Sequence, residues 1–169
     1  HVTPVLFGSA EHGNGIGRLL KTLRHDVAGV ASVNERLGLV PTVSATVQLI
    51  KTQHSPQGGK LSIVRVLTGD VTDGMVLHDG KDHESRIAGL ATFQGITQLK
   101  QPKAGAGHVL ALGRLEHAIT GQTLSSARGA CPQLVETVRH TQVYSFAVSV
   151  ADRKDEVKLT SAVTKLIEE

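Results

Sequence analysis

The spacing of apolar residues near the N-terminus predicts one amphipathic helix with a short strand before it. From Ile16 to Leu23, apolar residues recur at positions i, i+3, i+4 and i+7, with basic residues between them, which is the pattern of a helix with one buried face. The apolar run at residues 3–7 predicts a short buried strand. Residues 26–41 form a connector, in which we expect a helical turn around residues 33–37.

The middle of the chain has the shorter period of β-structure. Apolar and polar residues alternate from Val43 to Leu49, as a half-buried strand requires. Further apolar stretches, separated by glycine-containing turns, predict more short strands. These lie at residues 61–67, 75–77, 86–93 and 109–112. No long helical pattern comes between them, so the pattern favours an antiparallel barrel or sandwich over a parallel α/β sheet.

The C-terminal part contains one predicted strand and one predicted helix. In residues 143–150 the side chains of Tyr144 and Phe146 fall on one face, and residues 155–169 carry an apolar helical stripe. One strand and one helix cannot enclose a core, so each apolar face needs further chain to cover it. We therefore expect the helix to pack on a neighbour, either the β-region or another copy of the chain.

Composition narrows the kind of core and the kind of partner. The 169 residues include three Phe, one Tyr and no Trp, so the core must consist of Val, Leu, Ile and Ala. The net charge of +3 permits an RNA-facing surface without requiring one. No run reaches the roughly 18 apolar residues of a membrane span, so we expect no membrane partner. Cys131 is the single cysteine, which suits a reducing, cytoplasmic location.

Two glycine-rich turns resemble phosphate-binding loops but lack residues that such loops need. The turn at residues 12–17 precedes the predicted helix, yet Arg18 stands where a dinucleotide-binding motif has its third glycine. The turn before Lys60 has His54 in place of the first glycine of a P-loop, and Leu61 in place of its Ser or Thr. We therefore expect no nucleotide-phosphate site within this chain.

Candidate metal-binding and catalytic groups are equally incomplete. His78 and His83 flank Asp79 and Asp82, but no cysteine or third histidine accompanies them, so a polar hairpin loop is a better interpretation than a zinc site. Cys131 has no neighbouring base in the sequence that would activate it as a nucleophile. We expect no catalytic residue, no metal site and no bound cofactor in this chain.

Four segments, taken in order, carry a resemblance to a known family. Residues 58–77 (GGKLSIVRVLTGDVTDGMVL) resemble the second domain of translational GTPases, and residues 86–124 resemble the closing half of that barrel. Residues 4–10 (PVLFGSA) resemble the end of the GTPase domain, including a Ser-Ala guanine motif. Residues 143–169 resemble the first strand and helix of the third domain of elongation factor G. The chain therefore resembles an internal part of an elongation factor G-like translational GTPase.

The resemblance implies a domain organisation and a set of ligands. Residues 1–40 would end the GTPase domain, residues 41–130 would form a complete antiparallel β-barrel, domain II, and residues 131–169 would begin a truncated ferredoxin-like domain III. It implies a mainly β fold in which a barrel of about five to seven strands lies between two remnants. The intact protein would bind GTP or GDP with Mg²⁺, and Ser9 and Ala10 would contact the guanine base.

The resemblance also implies partners. The intact protein would act on the ribosome in translocation, with domain II packed on its own GTPase domain and against small-subunit ribosomal RNA. We expect Lys60, Arg65 and Arg86 to face that RNA, and we expect the C-terminal helix to contact the rest of domain III or to mediate self-association.

Two alternatives remain open at this point. One is an autonomous RNA-binding barrel. The other is a paralogous GTPase for ribosome protection, peptide release or recycling, which is suggested because Gly105-Ala-Gly-His108 departs from the family's usual turn.

Overall fold

The three predicted helical segments are confirmed. The computed structural model describes residues 3–40, 43–55, 59–81, 83–95, 97–129, 131, 134 and 141–169. In this part of the chain the helices are α1 (Ile16–Asp26), α2 (Val30–Arg36) and α3 (Glu156–Glu168), and a 3₁₀ turn, Arg153–Asp155, leads into α3. No helix among the described residues is long and apolar enough to cross a membrane.

Antiparallel β-structure dominates the middle of the chain, as predicted. The strands are β1 (Thr46–Ser55), β2 (Gly59–Thr68), β3 (Asp70–Thr72), β4 (Val76–His78), β5 (Glu84–Arg86), β6 (Leu90–Gln94), β7 (Thr97–Gln101), β8 (Lys103–Gly105), β9 (Val109–Gly113) and β10 (Thr123–Ser125). Eight form one sheet in the order β5-β4-β10-β1-β2-β9-β6-β7, and β3 pairs with β8 in a second sheet.

The predicted count of five to seven strands was too low. The single strand expected at residues 86–93 is divided between β5 and β6, because the chain leaves the ladder at residues 87–89, where Gly89 has a φ of 85°. The strands β3 and β8, which were not predicted, add the small second sheet. Among the described residues no pairing joins the edge strands β5 and β7, so the main sheet is not a hydrogen-bonded closed ring.

The long β1–β2 hairpin organises the core. Val47 lies opposite Val66 and Leu49 lies opposite Val64, and all four side chains are at most 1% exposed. On its other side β2 pairs with β9, where Leu110 and Leu112 are equally buried. Alternating apolar residues therefore meet from neighbouring strands on one face of the sheet. The remaining core residues are Ala45, Val71, Leu77, Ile87, Leu90, Ala104, Leu115, Ala118 and Leu124.

Helix α2 is attached to the sheet by a buried polar contact. The Asn34 side chain is 6% exposed, and its Nδ2 donates a hydrogen bond of 2.5 Å to the carbonyl oxygen of Leu67 at the end of β2. Val30 at the start of α2 lies near the turn at Gly107, where an added Cβ would lie 3.6 Å from Val30. The connector between α1 and the sheet is therefore part of the packed structure.

Two predicted strands are absent, and the reason is the same for both. Residues 3–7 contain no strand, and Val5 and Phe7 are 73% and 89% exposed. Residues 143–150 contain no strand either, and Tyr144 is 81% exposed. Their apolar patterns suit β-structure, but a strand also needs a neighbouring backbone for its N–H and C=O groups, and no described residue pairs with these segments in a ladder.

The apolar stripes of α1 and α3 are largely uncovered. Neither helix has a buried residue. In α1, Leu20 is 60% exposed, and in α3, Leu166 is 70% exposed. The last residues of α3 contact the β1–β2 hairpin, whereas the stripe itself stays accessible among the described residues.

Candidate nucleotide and nucleic-acid interfaces

The loop that carries Ser9 and Ala10 is closed by its backbone. The Ser9 amide donates a 2.9 Å hydrogen bond to the carbonyl oxygen of Asn14, and these two residues form an isolated antiparallel bridge. Gly15, with a φ of 79°, stands so close to Phe7 that a Cβ there would overlap the Phe7 carbonyl oxygen. Glycine is therefore required at this position for the loop to fold back before α1 begins.

This geometry leaves two small side chains at the tip of the loop. Ser9 is half-buried and Ala10 is exposed, so a flat ligand can approach the backbone without meeting a large side chain. Helix α1 begins directly after the loop, with Gly15 as its N-cap and no acidic residue in its first turn. The predicted contact of Ser9 and Ala10 with a guanine base stays a prediction.

Lys60 does not form a free cationic surface. Its Nζ donates a 2.8 Å hydrogen bond to the carbonyl oxygen of Glu116 and lies 3.3 Å from a carboxylate oxygen of Glu168. The Lys60 side chain is only 13% exposed. Its ammonium group is therefore in contact with Glu116 and with the end of α3, and the predicted contact of Lys60 with RNA stays a prediction.

Arg65 and Arg86 lie in different parts of the main sheet. Arg65 is half-buried in β2, between the core residues Val64 and Val66, so its side chain points to the opposite face. It makes no hydrogen bond or ion pair with the described residues. Arg86 is exposed at the end of β5, where its Nε donates a 3.2 Å hydrogen bond to the carbonyl oxygen of Gly74. Three strands separate β2 from β5, so the structure does not bring these two arginines together.

Arg86 instead shares a cleft with residues that the sequence patterns did not single out as a group. The cleft has a volume of about 450 Å³ and is lined by the end of β5 and by the turn after β9. Its polar side chains are Glu84, Ser85, Arg86, Arg114, Glu116 and His117. Arg114 has a φ of 62°, a left-handed backbone conformation that is uncommon for residues other than glycine. In the sequence, only the glycine at Gly113 indicates that the strand ends just before Arg114.

Among the described residues, Glu84 of the cleft has ion-pair partners, whereas the two arginines have none. Glu84 lies 3.6 Å from His78 and 3.5 Å from Arg128, so its carboxylate already has partners. Arg86 and Arg114 form no ion pair with any described residue. Two guanidinium groups at one concave surface can take a phosphate or carboxylate in a bidentate manner.

A polar hairpin supports one wall of this cleft. The rings of His83 and His117 stack with their centroids 5.5 Å apart, and His83 Nδ1 lies 2.9 Å from Asp79 Oδ2. Burial acts to raise the pKa of Asp79, but hydrogen bonds from the amides of Lys81 and His83 and from the His83 ring lower this pKa to about 2. Asp79 is therefore ionised and positions the β4–β5 turn.

The interpretation of residues 78–83 as a polar hairpin loop agrees with this geometry. Among the described residues, which omit Asp82, no three His, Cys, Asp or Glu side chains come together as a metal site. Cys131 is half-buried near Gly80, and burial, together with the charge of Asp79, raises the pKa of its thiol.

Known proteins that resemble this chain are translation elongation factors. The chain is 34% identical over 170 residues to an elongation factor G-like protein of Synechocystis sp., a match that covers 99% of this chain and 24% of that protein. It is 29% identical over 181 residues to an elongation factor G of Pseudothermotoga lettingae, covering 99% of this chain and 26% of that protein. It is 31% identical over 117 residues to an elongation factor 2 of Methanosarcina acetivorans, covering 68% of this chain and 16% of that protein.

A solved structure has the same fold. A crystal structure of a protein from Thermus thermophilus matches 94% of this chain and 23% of its own chain, with a TM-score of 0.74 and 24% sequence identity. No protein-family model matches the chain. The chain spans about a quarter of the length of the first two relatives. Because the similarity extends over nearly every residue and through all three regions, the chain belongs to the elongation factor G-like family.

Proposed function

We propose that this chain is part of a GTP-hydrolysing elongation factor that acts on the ribosome in translocation. The observation that carries the proposal is the 34% identity over 170 residues to an elongation factor G-like protein. The match is not confined to the β-region, whose fold alone is compatible with many functions. It includes the Ser9–Ala10 loop and helix α3 as well.

The three regions correspond, in this proposal, to parts of three domains. Residues 1–40 belong to the end of the GTPase domain, residues 41–130 to domain II, and residues 131–169 to the beginning of domain III. The burial pattern supports this division, since the core lies in residues 45–124 whereas α1 and α3 contribute no buried residue to it. Helix α1 and helix α3 would be covered by the rest of their own domains.

GTP or GDP, with Mg²⁺, would bind mainly to parts of the protein outside this chain. The loop at Ser9 and Ala10 offers small side chains for the base, but neither glycine-rich turn is a complete phosphate-binding loop, since the one before Lys60 has His54 in place of the first glycine and Leu61 in place of the hydroxyl residue. This chain alone should therefore show no micromolar affinity for GTP. Isothermal titration of the chain with GTP tests this, and a dissociation constant in the micromolar range would contradict the assignment of the phosphate site.

The cleft at Arg86 and Arg114 is the surface that we propose for small-subunit ribosomal RNA. Its two guanidinium groups, which form no ion pair with any described residue, are suited to backbone phosphates, and Arg65 adds a cation on another part of the sheet. The described lining of the cleft contains no Phe, Tyr or Trp side chain for base stacking, so the contact would depend on phosphate charge rather than on base identity. In this proposal the intact protein is cytoplasmic and binds the ribosome.

Co-sedimentation of the chain with purified small ribosomal subunits tests this surface. Exchanging both arginines for glutamine (Arg86→Gln with Arg114→Gln) should weaken binding by about tenfold and should lower the dependence of affinity on salt by about one to two ions. The matched control exchanges two exposed arginines of α1, Arg18→Gln with Arg24→Gln, and should leave binding nearly unchanged. Equal losses in the two double variants would show that only net charge matters and would rule out a defined site at the cleft.

Self-association through the α3 stripe is a separate part of the proposal. Leu166 and Ile167 are 70% and 79% exposed, and apolar surface of this kind attracts another copy when its natural cover is missing. Light scattering at rising protein concentration should show dimers that disappear in an Ile167→Gln variant. A monomer at all concentrations, combined with fast amide exchange in α3, would contradict it.

A further inference from the structure

The last turn of α3 touches the β1–β2 hairpin through charged and polar atoms. The backbone amide of His54 donates a 2.8 Å hydrogen bond to Oε1 of Glu169. The other glutamate, Glu168, places its Oε2 3.0 Å from Nε2 of His54 and 3.3 Å from Nζ of Lys60. Glu168 therefore meets one cation and one imidazole, and Glu169 meets a backbone amide, near the C-terminal end of β1, where His54 lies opposite Lys60.

Partial burial makes this contact stronger than an ordinary surface ion pair. The side chains of His54 and Lys60 are 18% and 13% exposed, whereas that of Glu168 is 39% exposed. Lys60 is also held in place by the carbonyl oxygen of Glu116, so little side-chain freedom is lost when Glu168 arrives. Burial acts to raise the pKa of Glu168, but the charge of Lys60 and hydrogen bonds from Lys60 and His54 lower it overall.

The acidic residues occupy an unfavourable place within the helix itself. The C-terminal end of a helix carries partial negative charge, so glutamate in the last turn destabilises an isolated helix. The apolar residues beside them do not compensate, because Leu166 and Ile167 remain mostly exposed. Electrostatic contact with the hairpin, rather than apolar burial, therefore holds the end of α3 against the sheet.

We infer that Glu168 and Glu169, with His54 and Lys60, form a reversible ionic latch between α3 and the β1–β2 hairpin. The latch goes beyond the proposed function, since it describes a movement of one part of the chain relative to another. Residues 141–150, which precede the helix, form no strand, so α3 can leave the hairpin without breaking any β-ladder among the described residues. When it leaves, His54 and Lys60 become accessible to solvent.

A distance measurement with reciprocal charge changes tests the latch. Spin labels at two exposed positions, Lys51→Cys on β1 and Ser161→Cys on α3, report the separation in a Cys131→Ser background. The labelled protein with His54, Lys60, Glu168 and Glu169 unchanged should give one narrow distribution of label-to-label distances at low salt. Either reversal, Lys60→Glu or Glu168→Lys, should broaden the distribution towards longer distances, and amide exchange in the last turn of α3 should become about threefold faster. Sodium chloride at about 1 M should have a similar effect, because it shortens the screening length to about 3 Å.

The double reversal distinguishes the latch from a general effect on the helix. Lys60→Glu combined with Glu168→Lys should restore much of the narrow distribution, because the pair is again oppositely charged. The matched control Glu156→Gln, at the other end of α3, should leave the distances unchanged. The inference is wrong if the single reversals leave α3 in place, if the double reversal stays open, or if Glu156→Gln opens the structure equally.

Discussion

The main sheet and the two flanking helices use similar apolar residues with opposite results. In the sheet, Val47, Val66 and Leu112 are fully buried, whereas α1 and α3 contain no buried residue at all. The difference lies in the partners that each element finds. Every strand of the sheet has a neighbour close by in this chain, but the described residues cover the helical stripes only in part.

This contrast separates the part of the chain that stabilises the fold from the parts that present surfaces. A fully buried Leu, Val or Ile contributes about 1.5–3 kcal/mol relative to an exposed one, and most core residues of the sheet are of these three types. Helices of 11 and 13 residues are marginal in water without tertiary contacts. We therefore expect the sheet to unfold as one unit and the helices to open before it.

The largest effect should come from a cavity in the sheet. Leu112 is 0% exposed in β9, between β2 and β6, so Leu112→Ala should lower the free energy of unfolding by about 3 kcal/mol. Urea unfolding followed by circular dichroism measures this. The control Leu99→Ala in edge strand β7, where the side chain is 44% exposed, should cost less than about 1 kcal/mol. Equal losses would mean that the two positions are equally buried in solution.

The next effect concerns α2, which is joined to the end of β2 by a buried hydrogen bond. Asn34→Ala removes the buried hydrogen bond to the Leu67 carbonyl oxygen and should lower the free energy of unfolding by about 2 kcal/mol. Amide exchange in α2 should rise in parallel, because the helix loses its attachment to β2. Asn14→Ala, in the exposed loop before α1, is the matched control and should change neither quantity. An unchanged α2 in Asn34→Ala would show that apolar contacts such as Val30 with Gly107 hold it instead.

The sequence predicted local elements well and long-range pairing poorly. The period of apolar residues located α1, α3 and the strands β1, β2 and β9, because these elements obtain their pattern from the face they bury or could bury. It failed at residues 3–7 and 143–150, where the same pattern is present but no adjacent strand exists among the described residues. Periodicity reports which face of a segment is apolar, and it does not report whether a partner is at hand.

The candidate site was predicted only in part, for a related reason. Arg86 was found because it is basic and near a turn, but its association with Arg114 and His117 depends on the chain folding β5 next to the turn after β9. Lys60 was predicted to face RNA because it is basic and near a turn, and its contact with Glu168, which lies 108 positions later in the chain, was not predicted. Neither the shared cleft nor the Lys60–Glu168 ion pair can be recognised from the residues adjacent in sequence.

The pH dependence of stability should reveal the contribution of Asp79 in the β4–β5 turn. The pKa of Asp79 is about 2 in the folded protein against an ordinary value of 3.8. The ionised carboxylate therefore favours the folded state above about pH 4, and this contribution is lost as the pH falls through the folded pKa of about 2. Wild type should lose about 1–2 kcal/mol more than Asp79→Asn between pH 5 and pH 2, as measured by urea unfolding at each pH.

A matched carboxylate shows whether that loss belongs to the hairpin. Asp26 is an exposed residue at the end of α1, so the control Asp26→Asn should leave the free energy of unfolding within about 0.5 kcal/mol of wild type. Identical profiles for wild type and Asp79→Asn would mean that the hydrogen bonds to the Lys81 and His83 amides do not form in solution.

The smallest effect should come from the uncovered stripe of α1. Leu20 is 60% exposed, and alanine has the higher helix propensity, so Leu20→Ala should change the free energy of unfolding by less than about 0.5 kcal/mol. The measurement is the same urea titration that is used for Leu112→Ala, at two protein concentrations. A loss near 2 kcal/mol that grows with concentration would mean that a second copy covers the stripe, because association stabilises only the folded state. The same loss at both concentrations would place the cover within the chain itself, and the contrast between sheet and helices would then no longer hold.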